Sequence, residues 1–355
     1  MAVDFVTRLA KMPGMNFSIP RWNKLYQMAE DIRDLAPWKK HYEEELFAIQ
    51  PQAEGPVYFV SIMGNNGEHH AIAYYPGAES LGKFRLIQTS EDERIGMETI
   101  LLNDHLQLAF EAKRDLVPPD LEILKVLGKT YRGKWPAFRS HRAARLPWFP
   151  TSQELEDFEG LAEQTLEVLK RENVGESLLR PFDAPEFFLR RKAGAGAWED
   201  ALCNVDELPL PQHCLSVELP EGALAGLQKV DARFDVDLFL MPQPVDDAPE
   251  GEPPYFPFML MVVDSHSGMI VGFDLIPTQE GVDAAMAQIP AAVSKVLHRV
   301  KAIPARMAAR HPILCSALEA YGKAYGIKFQ KKAHLPAVDE AIASAMSFMG
   351  GPMGF

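Results

Sequence analysis

The sequence predicts two mixed α and β domains: an N-terminal α+β domain with a sheet centred on a β-hairpin, and a C-terminal α/β domain with a mixed sheet flanked by helices. Three observations carry this reading. The stretch PFMLMVVDSHSGMIVGFDLI, residues 257–276, sets two apolar runs on either side of a polar Asp-Ser-His-Ser-Gly break, the pattern of a hairpin buried in a sheet. A second hairpin is written as PVYFVSIM, the turn Gly64-Asn65-Asn66-Gly67, and EHHAIAYY. Its Asn-Gly pair supplies the positive-φ positions that tight turns need. Finally, 355 residues with 47% hydrophobic content are enough for two cores.

The elements follow in order. Trp22, Leu25, Tyr26, Ala29 and Ile32 share one face of a helix expected over residues 21–35, which Pro37 stops. After the first hairpin come a helix near 78–86, a strand over 106–112, a short helix over 120–127 and a strand over 138–146. In residues 152–171, Leu155, Phe158, Leu161, Ala162, Leu166 and Leu169 fall near a 3.6-residue period, with Ser152 as the N-cap. Residues 1–175 form the N-terminal domain. Residues 176–205, with Arg190-Arg191-Lys192 before an Ala-Gly-Ala-Gly run, have the composition of a linker.

The C-terminal domain spans residues 206–349. Strands are expected over 213–217 and 234–241, with a helix near 221–227 between them. The second hairpin follows, then a helical run to Val300 interrupted near Pro290. A strand over 305–308, a helix over 313–325, a strand over 327–330 and a helix from Ala337 complete it. Residues 350–355 read as a flexible Gly- and Met-rich tail.

Charge and cysteine usage narrow the function classes. A formal net charge of -13 repels phosphate backbones, so nucleic-acid binding is not expected without a local basic patch. The nearest clusters, Arg139, Arg142 and Arg145 around His141 and the pair Lys331-Lys332, read as solvated faces. Three cysteines, Cys203, Cys214 and Cys315, are too few and too scattered for a disulfide framework or a Cys-rich zinc site. No signal-peptide core or membrane-length apolar run is present, so a cytoplasmic protein with no membrane partner is expected.

The order strand, hairpin, helix, strand, helix, strand, helix over residues 234–349 resembles the ribonuclease-H-like cores of retroviral integrases and transposases. In such cores the first strand carries the lead aspartate, matched here by Asp237 in RFDVDLF, with Asp235 on the same face. The hairpin VVDSHSG places Asp264, and LPAVDEA on the last helix offers Asp339 and Glu340. The resemblance implies two divalent ions, Mg²⁺ or Mn²⁺, held by clustered carboxylates for phosphoryl transfer. One position departs: after the strand over 305–308, where a second aspartate belongs, stand Arg310 and His311. Arg310 should then face Asp237 or Asp264 and take the place of a metal ion. The chain is also similar to a bacterial two-domain family with no assigned activity, through LAPWK, SIMGNNGEH and YYPGAESL.

Other chemical groupings have plain structural readings. Asp264 suits a turn, its carboxylate capping the next amides. His69 and His70 are strand neighbours pointing to opposite faces and so poorly placed to share an ion. Cys315 sits on an apolar helical pattern as a core residue. No P-loop, dinucleotide fingerprint or zinc spacing is present. The expectation is a non-catalytic protein that uses no cofactor and binds a protein partner. Two alternatives stand beside it: a metal-dependent nuclease or phosphotransferase using Asp237, Asp264 and Glu340, and a small-ligand sensor with a pocket between the domains.

Overall fold

The computed structural model describes residues 18–193, 196–210, 219–247, 249 and 251–348. The chain divides into two compact units, Met1–Pro211 with Pro249–Pro253, and Gln212–Ala248 with Pro254–Phe355. Together they hold two sheets and their helices, a two-domain α+β fold.

In the first unit α1 (Ile19–Leu35) ends on Ala36, whose left-handed φ of 48° lets its amide reach the Arg33 and Ile32 carbonyls. Strands β1 (Glu45–Gln50), β2 (Tyr58–Met63) and β3 (His70–Pro76) are followed by α2 (Gly77–Thr89) and α3 (Glu93–Leu101). Then come β4 (His105–Ala112), α4 (Pro118–Val126), β5 (Lys134–His141), α5 (Ser152–Asn173), the two-residue β6 (Arg180–Pro181), β7 (Glu186–Lys192) and β8 (Trp198–Asn204). The main path through the sheet is β5-β4-β3-β2-β1-β7-β8, antiparallel except where β7 runs parallel to β1; β6 pairs with β1 off this path. Alternation along the strands sends Phe47, Val60, Tyr74 and Leu106 into a core with α1 and α5, and Leu46, Phe59 and Ala73 into one with α2.

Three expectations are corrected here. Residues 176–205 are not a linker: they hold β6, β7 and β8, and Phe187 and Leu189 of β7 are buried. The Gly-rich run lies in the connection between β7 and β8, with Ala193 N donating to Ala197 O. The N-cap of α5 is Thr151, not Ser152; its side chain accepts from Glu154 N while Glu154 accepts from Thr151 N, a reciprocal cap. Arg139 is not on a solvated face: it is 7% exposed and forms two hydrogen bonds, at 2.9 and 2.5 Å, with Asp120 of α4.

The second unit contains β9 (Gln228–Leu240), β10 (Phe258–Asp264), β11 (Ile270–Ile276), α6 (Val282–Ala287), α7 (Ile289–Val300), β12 (Ala302–Ala309), α8 (Pro312–Tyr325), β13 (Lys328–Lys331) and α9 (Pro336–Phe348). Its sheet runs β11-β10-β9-β12-β13; the first three strands are antiparallel, and β12 and β13 are parallel to β9 and to each other. Gly272, inside β11, leaves room for α7: a Cβ there would sit 2.8 Å from Val296 Cγ1. The helix expected near 221–227 is a series of turns. The strand expected over 213–217, Cys214 and the tail 350–355 lie outside the described residues.

Candidate functional site

The register of the second sheet decides which charged side chains can meet. Asp235 and Asp237 lie two apart on β9 and so share a face, which also carries their cross-strand neighbours Val263 and Met261 of β10. That face is covered by α9: Met261, Val263, Phe239 and Ala308 pack with Leu335, Val338, Ala341 and Ile342. Both aspartates are 2% exposed. A carboxylate so placed must be met by a cation or by hydrogen-bond donors.

Asp237 is met by Arg310. Parallel pairing sets Ala308 beside Asp235, so Arg310, two residues on, emerges beside Asp237 where β12 ends. Arg310 Nε donates to Asp237 Oδ2 at 2.8 Å, and Nη2 donates to the same oxygen. Nη1 reaches Asp339 Oδ1 of α9 at 2.7 Å. The guanidinium thus spans the central strand and the last helix. Burial works against its charge, but the Asp237 and Asp339 carboxylates outweigh it and raise its pKa above the ordinary value.

Asp235 lies in a looser setting. Arg233 Nε and Lys332 Nζ each stand 3.7 Å from its Oδ1, which has no hydrogen-bond partner. His311, next to Arg310, is half-buried; burial lowers its pKa, with Asp237 opposing the shift.

The carboxylates proposed for a metal site are not brought together. Asp264 is paired in register with Phe234, not with either buried aspartate, and belongs to the opposite face at the end of β10. Its Oδ1 accepts from the amides of Ser267 at 2.9 Å and His266 at 3.0 Å and from the Ser267 hydroxyl at 3.1 Å. The Ser267 amide is the main cause of its lowered pKa. Glu340 is exposed, and its neighbour Asp339 makes the contact with Arg310. Among the described residues, no three His, Cys, Asp or Glu side chains form a group suited to a metal ion.

The other sequence-flagged residues are explained by packing. Cys315 is buried, its Sγ 3.6 Å from Ala309 O, and burial raises its pKa. His70 stacks on Trp38 with ring centroids 4.4 Å apart, and His69 is held beside Gln107. Lys332 faces Asp235; its sequence neighbour Lys331 is exposed. Sequence reading passed over Asp120, whose meeting with Arg139 depends on how α4 packs on β5, and the opposition of His105 to His141, which depends on the pairing of β4 with β5.

Residues 22–190 match the family model for DUF7309, a domain of unknown function, and residues 223–346 match that for DUF6930, also a domain of unknown function. The chain pairs two domains of unknown function. No curated protein matches it. The DUF7309 match reaches into β7 as far as Arg190, in keeping with that strand's place in the first sheet, and the DUF6930 match includes Asp235, Asp237, Arg310 and Asp339. Among the described residues, no helix is long and apolar enough to cross a membrane.

Proposed function

We propose that the DUF6930 region is a ribonuclease-H-like domain whose carboxylate site is closed by an arginine, and that the protein acts by binding a protein partner without catalysis. The strand order, with an antiparallel β9-β10-β11 meander and β12 and β13 added in parallel, supports the fold assignment. The observation that carries the functional reading is Arg310 held between Asp237 and Asp339. A two-metal phosphoryl-transfer site needs clustered negative charge to hold its ions. Here the buried aspartate already has a permanent cation against it, and a guanidinium cannot be deprotonated to make way. Asp264, fixed as a turn cap on the other face, and the exposed Glu340 add nothing to that charge. A metal ion entering this site would have to displace Arg310.

The test is a hydrolysis assay of the full chain with Mg²⁺ or Mn²⁺ on single- and double-stranded DNA and RNA and on an activated phosphodiester. No turnover above buffer is expected. Metal-dependent hydrolysis lost in Asp237→Asn would replace this reading with the nuclease.

A further inference from the structure

We propose that the stacked pair His105 and His141 is an acid-sensitive latch that holds strand β5 on the edge of the first sheet. The two residues are direct partners in the antiparallel pairing of β4 and β5, and their rings stack at a centroid distance of 4.0 Å and an angle of 17°. Strand β5 is the terminal strand on its side of the sheet, with only β4 beside it along the main path. The pair sits where the start of β4 meets the end of β5. Two further ties close the same corner: Asp104 Oδ1 accepts from Ala143 N at 2.7 Å, and Ala144 N donates to Leu101 O at 2.8 Å.

The corner is arranged for neutral rings. His105 Nδ1 lies 2.9 Å from the Asn103 carbonyl, so it carries the hydrogen and only Nε2 remains to take a second proton. The Nε2 of His141 is buried and has no hydrogen-bond partner. A proton gained on either ring would create a cation within stacking distance of a second titratable ring.

The facing groups offer little compensation. Strand β3 contributes the Tyr75 ring 5.1 Å from His105, the chain before it His69, and β5 the Arg139 guanidinium. Asp104 is the nearest acid of the corner; burial raises its pKa, and Lys83 and Glu79 of α2 and Arg142 act on it in opposing senses. Burial depresses both histidines, His105 to about 4, with His105, Arg139 and His69 adding to the effect at His141.

The sign of the response follows. A histidine whose folded pKa lies below its unfolded value of about 6.5 contributes its full stability above that value. That contribution is lost as pH falls from there toward the folded pKa. Loss of the stack frees the end of β5 first, because β4 is its one full sheet neighbour and only the single bridge of Ser140 to Trp148 ties its other edge, so acid opens this corner before the whole unit unfolds.

The experiment is amide hydrogen exchange of the full chain, read on peptides covering β5 at about pH 7 and about pH 5, with rates corrected for intrinsic pH dependence. In the wild type, corrected exchange in β5 should rise about tenfold on acidification, while β1 and β2 stay constant. In the double variant His105→Phe/His141→Phe, which keeps two flat rings but removes both titrating imidazoles, the rise should fall below about twofold. Unchanged wild-type exchange, or an equal rise in the variant, overturns the latch. If the variant does not fold, proton titration of the wild-type imidazoles by NMR decides: depressed midpoints for both rings support the latch, and ordinary ones overturn it.

Discussion

Arg310 and Asp237, 73 residues apart in sequence, meet as a two-bond ion pair because parallel pairing carries the end of β12 to the middle of β9. The pair joins permanent charge to burial, since Asp237 is 2% exposed. Removing Arg310 therefore takes from the buried Asp237 the guanidinium that meets its charge. We expect Arg310→Met to cost about 3–5 kcal/mol in urea unfolding of the second unit. A loss below about 1 kcal/mol would show that the pair behaves like a surface contact.

A second buried pair predicts a contrast in the first unit. Asp120 accepts two bonds from Arg139 and a third, at 3.1 Å, from Val117 N at the start of α4. Asp120→Ala should cost about 3–5 kcal/mol, while joint replacement by Leu at 120 and Met at 139 should recover most of that loss. Equal damage in the single and double variants, measured by denaturant midpoints, would contradict the account.

The first hairpin separates two glycine roles. Gly67 has φ +84° and open space around it, so Gly67→Ala pays only the backbone term, about 1 kcal/mol. Gly64 has φ +110°, and a Cβ there would come within 2.5 Å of the His70 ring and 2.8 Å of the His69 carbonyl. Because His70 is pinned by its stack on Trp38, Gly64→Ala should cost about 2–3 kcal/mol. The reverse ranking of unfolding midpoints would remove the packing argument.

Nucleic-acid binding offers a fourth check. On the sheet face of Asp235 and Asp237, the cations Arg306 and Arg310 pair with Asp231, Asp237 and Asp339, and Arg233 and Lys332 lie against Asp235. With a net charge of -13, no salt-sensitive binding to duplex DNA is expected near physiological ionic strength. Submicromolar binding that weakens steeply with salt in a gel-shift titration would contradict this.

What could be read from sequence depended on whether the signal was local. Both hairpins and the long helix α5 announce themselves through turn residues and apolar periodicity within a few residues. Strand β7 does not: its pairing with β1 spans most of the unit, and its arginines and the neighbouring glycines mimic a linker. Asp264 looked like a partner for Asp237 because both match acids of the ribonuclease-H-like pattern, but the pairing of Asp264 with Phe234 sends it to the other face, and register is not written locally. The choice between Asp339 and Glu340 was legible. With Leu335, Val338, Ala341 and Ile342 marking the packed face, 100° per residue puts Glu340 nearly opposite that face and Asp339 at its flank.

The most direct test of the central claim is the thermal midpoint of the full chain in chelator and in excess Mn²⁺, for the wild type, Arg310→Asp and Asp237→Asn. If Arg310 fills the metal position, the wild-type midpoint is the same in both conditions, since an ion that does not bind the folded state cannot stabilise it. Arg310→Asp, which faces Asp237 with another carboxylate, should melt lower in chelator and regain stability with Mn²⁺. A wild-type midpoint that rises with Mn²⁺ and loses that rise in Asp237→Asn would contradict the closed site.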